Sequence, residues 1–230
     1  MKRILVVDVG GTNLKLGLSG HRAGAKVPSG PKMTAAGMIA AVRRLTRGWA
    51  YDVVSIGYPG PVVDGHPTAE PKNLAGGWGR HDYRKAFGRP VRMINDAAMQ
   101  ALGAYRGGRM LFLGLGTGLG SALVVDGVVA PLELAHLPYR KGGSFEDYLG
   151  RRGIDRLGRK RWRKHVAKVV EMLRHAMQAT SVVLGGGEAQ RLDELPAGVT
   201  LGTNADAITG GFRLWDDDGP RATRRRRRAT

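Results

Sequence analysis

The sequence predicts an α/β fold of two similar lobes with a ligand cleft between them. Three observations lead there. The stretch "ILVVDVGGTNLKLGLSG" (4–20) runs from an apolar strand through a Gly/Thr turn into a second apolar strand. About a hundred residues later, "LFLGLGTGLGSALVVDG" (111–127) has the same layout, with four glycines between Gly114 and Gly120. After each hairpin, strand-like runs alternate with helix-like ones, the pattern of a layered α/β chain. The repeat suggests an internal duplication, and ligands favour the cleft between such lobes.

The elements follow in order. Residues 4–9 and 14–18 form a hairpin around Gly10-Gly11-Thr12. "TAAGMIAAVRRLT" (34–46) has the spacing of an amphipathic helix, with apolar and basic faces. "YDVVSIGYPGPVV" is a strand entering a Pro/Gly turn, followed by a short strand "VRMIND" and a helix "AAMQALGAYR". The second half begins with strands around the glycine loop and passes through a loop region (131–145). It then enters one long helical stretch from about Phe145 to Gln178. "SVVLGGG" (181–187) is a buried strand whose three glycines are expected to open a helix, and a last strand near "VTLG" precedes a helix starting near Ala205. The expected division is a small lobe at 1–105, a large lobe at 106–215 and a disordered Arg-rich tail at 216–230.

Composition bounds the function. The 230 residues are 42% apolar, enough to bury a proper core. With no Cys, a disulfide framework and a Cys-based metal site are both excluded, and a cytoplasmic location is expected. Asp8 interrupts the first apolar run too early for the core of a signal peptide, and no stretch approaches the roughly 20 apolar residues of a membrane span, so no membrane partner is expected. The formal net charge of +18 is the outlier. "RATRRRRRAT" at the end carries six arginines and is expected to bind nucleic acid non-specifically, if at all. A second cluster, "RRGIDRLGRKRWRKH" (151–165), contains only one acid, Asp155. It reads either as a solvated basic face or as a track for a polyanionic substrate.

Glycine-rich turns let backbone N–H groups approach a phosphate closely. Neither hairpin is a P-loop, since no GxxxxGK[ST] occurs, and neither leads into a helix as a dinucleotide fingerprint would. "MINDAA" sets Asn95 and Asp96 at a strand end, where Asp96 suits either a helix N-cap or a general base.

Three motifs taken together, "DVGGTNLKLGL", "GLGTGLGSALVVDG" and "VVLGGGEAQRL", resemble the two phosphate motifs and the adenosine motif of the ROK sugar kinases, in that family's order and over about residues 3–212. The resemblance implies the two-lobed fold of the actin-like (ribonuclease H-like) ATPases and transfer of a phosphoryl group to a sugar hydroxyl, with glucose at its 6-hydroxyl the leading acceptor. It implies Asp96 as catalytic base and Asn95 as a sugar ligand. Glu133 and His136 of "ELAH" match a Glu-x-Gly-His pattern that binds sugar hydroxyls, with Ala135 in place of the glycine, and Glu146 of "SFEDYLG" is a third sugar ligand. Asn73 in "PKNLAGGW" and the "GYPGP" turn match segments lining the sugar pocket. Asp8 is expected to hold Mg²⁺ through water, with Gly10, Gly11, Thr12 and Lys15 along the donor phosphates and Gly116, Thr117 and Gly118 around the terminal ones. Gly185, Gly186 and Gly187 would accommodate a nucleotide or simply allow a tight turn.

Most members of that family bind zinc through a Cys-rich loop, for which this chain has only "LPYRKGGSF", so no zinc is expected. The compact form is similar to the polyphosphate glucokinase branch. Both polyphosphate and ATP therefore stand as donors, the eight Lys/Arg of 151–164 being suited to gripping the former. A homodimer is the expected assembly. Two alternatives stay open: a kinase for another hexose or an N-acetylhexosamine, and a non-catalytic sugar-responsive regulator. The family's repressors carry an N-terminal helix-turn-helix, whereas this sequence enters its first phosphate motif at Ile4.

Overall fold

A computed structural model describes residues 2–21 and 24–216. The arginines of the expected tail beyond Asp216 lie outside the described residues. In the first half, β1 (Ile4–Val9), β2 (Asn13–Leu18) and β3 (Ala25–Pro28) are followed by α1 (Ala35–Leu45), β4 (Val53–Tyr58), β5 (Val62–Val63) and β6 (His66–Pro67). Then come α2 (Tyr83–Phe87), β7 (Val91–Asn95) and α3 (Asp96–Ala104). The second half contains β8 (Arg109–Leu115), β9 (Leu119–Val125), β10 (Val128–Leu132), β11 (Pro138–Arg140) and β12 (Gly143–Ser144). It continues with α4 (Phe145–Leu149), α5 (Arg151–Leu157), α6 (Arg159–Ala176), β13 (Ser181–Gly185), β14 (Val199–Leu201) and α7 (Asp206–Arg213).

The duplication is visible in the topology. One sheet runs β3-β2-β1-β4-β7 and the other β10-β9-β8-β13-β14. In each, three antiparallel strands join two parallel ones. The parallel strands β1 and β4 are buried at every position, as strands covered on both faces require. Local signals set the helices. Thr34 caps α1 by accepting the Gly37 N–H at 3.1 Å, and Ala35, Met38, Ile39 and Val42 form its buried stripe.

Two expectations are corrected. The helical stretch 145–178 is three helices, because the chain turns at Gly150 and at Gly158, where φ is +73°. The glycines after β13 lead only into a 3₁₀ turn, Ala189–Arg191, with no α-helix behind it. β3 is a short edge strand whose half-buried and exposed residues alternate over four positions, too short a signal to read.

Four apolar clusters fill the described structure. Leu5, Val7, Ile56 and Trp78 anchor the first lobe, and Leu111, Leu113, Trp162 and Val169 the second. Between them α3 is buried on nearly all sides, with Ala98, Ala101 and Leu102 packed on Phe112 and Val124. The last helix, α7, crosses back to the first sheet, where Ala207 meets Ile4, Val6 and Val53. Helices α3 and α7 touch backbone to backbone. A methyl group on Gly103 would run into the Asp206 carbonyl, and one on Gly210 into the Met99 carbonyl.

Gly103→Ala and Gly210→Ala are each expected to lower stability in urea by about 3 kcal/mol or more, since neither backbone has room to retreat without disturbing both sheets. A loss under about 1 kcal/mol would mean that the two helices can part freely.

Candidate active site

Asp8 sits near the end of β1, opposite Lys15 on β2. It is 4% exposed, and the Lys15 Nζ lies 3.6 Å from its Oδ2. Burial raises its pKa, and the ammonium of Lys15 works against that rise. The turn beyond is braced from outside: the Gly10 N–H donates to the Asn13 carbonyl at 3.0 Å, and the Ser29 hydroxyl donates to the Gly10 carbonyl at 2.6 Å.

Asp96 is the first residue of α3, but it is not the cap. Asn95 takes that role, its Oδ1 accepting the Ala98 N–H at 3.0 Å while its Nδ2 donates to the Gly60 carbonyl at 3.1 Å. The Asp96 carboxylate accepts the adjacent Ala97 N–H at 2.8 Å. Burial, the negative charge of Asp8 and, more weakly, that of Glu133 push its pKa up to about 7, against the pull of the Ala97 N–H. A carboxyl group so poised can take a proton near neutral pH.

Asp8, Gly10, Gly11, Thr12, Lys15 and Asp96 line one side of a cleft of about 250 Å³. Gly186 and Gly187 face them from the second lobe. Gly185, in contrast, packs on the Phe112 ring, which a side chain there would strike, and it does not line the cleft. Sequence reasoning missed Asn13, Gln100, Gln190, Gly202, Thr203, Asn204 and Ala207, which complete the lining. Gln100 was findable, because it lies four residues along α3 from Asp96 and so on the same face. Thr203 and Asn204 carry no local signal. Thr203 is held by Asp206, whose Oδ2 accepts its N–H at 2.6 Å.

The remaining predicted residues form two neighbouring groups outside that lining. Gly116, Thr117 and Gly118 make the tight second turn, with the Gly116 N–H donating to the Gly118 carbonyl at 3.1 Å. Glu146 lies directly against Gly118, where any side chain would displace it, and its Oε2 accepts the Leu119 N–H at 3.3 Å. At the rim, Glu133 and His136 flank a 3₁₀ turn and are more than half exposed. The His136 Nε2 lies 4.0 Å from Glu133 and 3.1 Å from the Lys72 Nζ, which joins this segment to the one carrying Asn73. Asn73 in turn packs beside Gly11. Ala135 is buried in the same turn and is not among the residues with positive φ, so the departure from glycine causes no backbone strain.

No protein-family model and no curated protein sequence matches this chain. Solved structures do. The inorganic polyphosphate/ATP-glucomannokinase from Arthrobacter sp. strain KM is 23% identical, with 92% of this chain and 97% of that one covered at a TM-score of 0.79. A ROK-family glucokinase from Streptomyces griseus, solved with glucose and AMPPNP, is 18% identical, covering 92% and 98% at a TM-score of 0.72. The ROK hexokinase from Thermus thermophilus is 22% identical, covering 91% and 96% at a TM-score of 0.69. The chain thus has a two-lobed, actin-like α/β fold. Within that class, its fold is the one found in the ROK sugar kinases.

Among the described residues, no group of three His, Cys, Asp or Glu side chains converges to hold a metal ion, and no helix is long and apolar enough to cross a membrane.

The raised pKa of Asp96 has a sign that can be checked. The folded state holds its proton more tightly than the unfolded chain, so stability falls as pH rises from about 4 through about 7. Asp96→Asn is expected to melt above the wild type at pH 8, with that margin shrinking towards pH 4. A margin independent of pH in thermal melts would contradict the assignment.

Proposed function

We propose that this chain is a sugar kinase that transfers a phosphoryl group from polyphosphate, ATP or both to the 6-hydroxyl of glucose, with Asp96 as general base. The observation that carries the reading is the Asp96 carboxyl, its pKa raised to about 7, in a cleft shared with the first glycine turn and Lys15. As the sugar oxygen attacks the terminal phosphorus, a new O–P bond forms and the bond to the donor's bridging oxygen breaks. The hydroxyl proton passes to Asp96 and the shortened donor leaves with its electron pair. Lys15 and the backbone of Gly10, Gly11 and Thr12 hold the donor, with Gly116, Thr117 and Gly118 opposite.

The acceptor binds to Asn73, Asn95, Glu133, His136 and Glu146. Asn95 also caps α3, which ties the orientation of one sugar ligand to that of the base. Exposed Glu133 and His136 suit a rim that closes over the sugar and excludes water from the phosphate.

Two buried carboxylates facing one cleft, both with raised pKa, fit a hard divalent cation, which takes one or two carboxylates plus phosphate oxygens. Asp8 would hold Mg²⁺ there through water. The ion would neutralise charge developing on the donor oxygens. Homodimer formation and a cytoplasmic setting accompany this reading.

Polyphosphate has a further point in its favour. A cleft of about 250 Å³ is smaller than the roughly 300–1,000 Å³ typical of small-molecule pockets. A slim phosphate chain needs less room than a nucleoside.

The test is a steady-state rate of sugar phosphate formation with glucose and Mg²⁺, using ATP or long-chain polyphosphate. Asp96→Asn should cost roughly 10²- to 10⁴-fold in kcat, and kcat/KM for the wild type should rise through about pH 7. Absence of turnover with either donor, across glucose, mannose, fructose and N-acetylhexosamines, would sink the kinase reading.

A further inference from the structure

A second groove is larger than the cleft. It has a volume of about 760 Å³ and lies between the β11–β12 hairpin and the helices α4 and α5. Four cations line it: Arg140 and Lys141 from the hairpin, Arg152 and Arg156 from α5. Two carboxylates face them, and one is already committed. The Oδ2 of Asp147 accepts the Ser144 N–H at 2.9 Å and the Ser144 hydroxyl at 2.8 Å as part of the α4 cap. Its charge still acts on Arg152 and Arg156, so with Asp155 two carboxylates stand against four cations. The positive field reaches inwards as well, because Arg140, Arg156 and Lys168 add to burial in lowering the pKa of nearby His165.

The fold also sorts the basic run 151–164 in a way its sequence does not show. Arg151 pairs with Glu188, and Arg163 pairs with Asp193. Of the eight cations in the run, only Arg152 and Arg156 line the groove, and they are joined there by two residues from the hairpin. Separated by four positions, these two lie on one face of α5, about 6 Å apart along its axis.

The groove begins beside the second glycine turn. The Arg151 N–H donates to the Gly116 carbonyl at 3.0 Å, and a methyl on Gly150 would come within 3.0 Å of the Thr117 carbonyl. Arg152 is the next residue. A chain of anions emerging from the 116–118 turn therefore meets Arg152, then Arg156 with Arg140 and Lys141.

We propose that this groove is a second anion site, which holds the part of an inorganic polyphosphate chain beyond its reacting end. The inference rests on polyphosphate being a phosphoryl donor. The ligand chemistry follows from the lining: guanidinium groups, an ammonium and no uncovered aromatic face. Tyr148 is the one aromatic residue in the lining, 6% exposed, with the Arg156 guanidinium 4.6 Å above its ring. Single-stranded nucleic acid needs open rings on which bases stack, and this groove presents none. Arg156 is also held in place, since its Nη2 donates to the Asp147 carbonyl at 2.9 Å.

The experiment compares the full chain with Lys141→Glu/Arg152→Glu at fixed ionic strength, measuring both Kd and KM for long-chain polyphosphate and KM for tripolyphosphate. Both substituted residues are exposed, and thermal melts check the fold, with Lys141→Gln/Arg152→Gln as a milder pair if the melting point drops. The expected result is a loss on the order of 10-fold in Kd and KM for the long chain, with the KM for tripolyphosphate unchanged. Unchanged long-chain affinity, with wild-type turnover intact, would overturn the groove and leave polyphosphate as donor. Absence of wild-type turnover with polyphosphate of any length would remove the donor reading, and the groove's assignment with it. Equal competition by single-stranded RNA of matched charge would also overturn the proposal, making the groove a general polyanion surface.

Discussion

The close contact of α3 with α7 is the constraint on which the rest of the molecule depends. Gly103 and Gly210 bring two helix backbones together with no side chain between them. Each helix follows the last strand of its sheet, so the contact joins equivalent points of the two halves. Helix α3 also packs against strands of both sheets, with Met99 under Gly57 and Ala97 under Gly120. Such burial leaves few ways to shift α3 without opening a void or forcing a clash. Asp96 begins this helix, and the loop before α7 supplies Thr203 and Asn204 to the same cleft. The least adjustable part of the fold therefore fixes the Asp96 end of the cleft, while Glu133 and His136 are exposed.

Charge in the cleft is balanced without being cancelled. Asp8 and Asp96 face one another's fields in a partly dry space, and Lys15 answers only Asp8. Left alone, such a pair retains protons. A cation entering the cleft would lower both pKa values, and an anion would raise them.

Much of this was legible in the sequence, and what was not has physical causes. The two glycine hairpins could be read because apolar strands flanking a run of small residues have few other folded solutions. The function of "ND" at 95–96 could not be divided from sequence, since either residue makes a good cap; the chain's path past Gly60 decides it by giving Asn95 a second partner. The stretch 145–178 hid its breaks because Gly150 and Gly158 lie between segments of continuous helical spacing. Gln190, Thr203 and Asn204 were out of reach, because only the tertiary fold brings them to Asp8. Basic residues 151–164 read as one unit, either a solvated face or a track, yet ion pairs to Glu188 and Asp193 divide them.

The return of α7 to the first sheet also governs the order in which the protein can be assembled as it is made. Ser55 on β4 donates its hydroxyl to the Gly211 carbonyl at 2.6 Å and accepts the indole N–H of Trp215 at 2.9 Å, closing a seam between the beginning and the end of the described chain. Until those last residues leave the ribosome, Ile4, Val6 and Val53 have only Met99 and Ile94 of their cluster to pack against. At about 5–20 residues per second, the stretch between β4 and α7 takes roughly 7–30 s to synthesise. For that interval part of the apolar surface of the first sheet waits for α7.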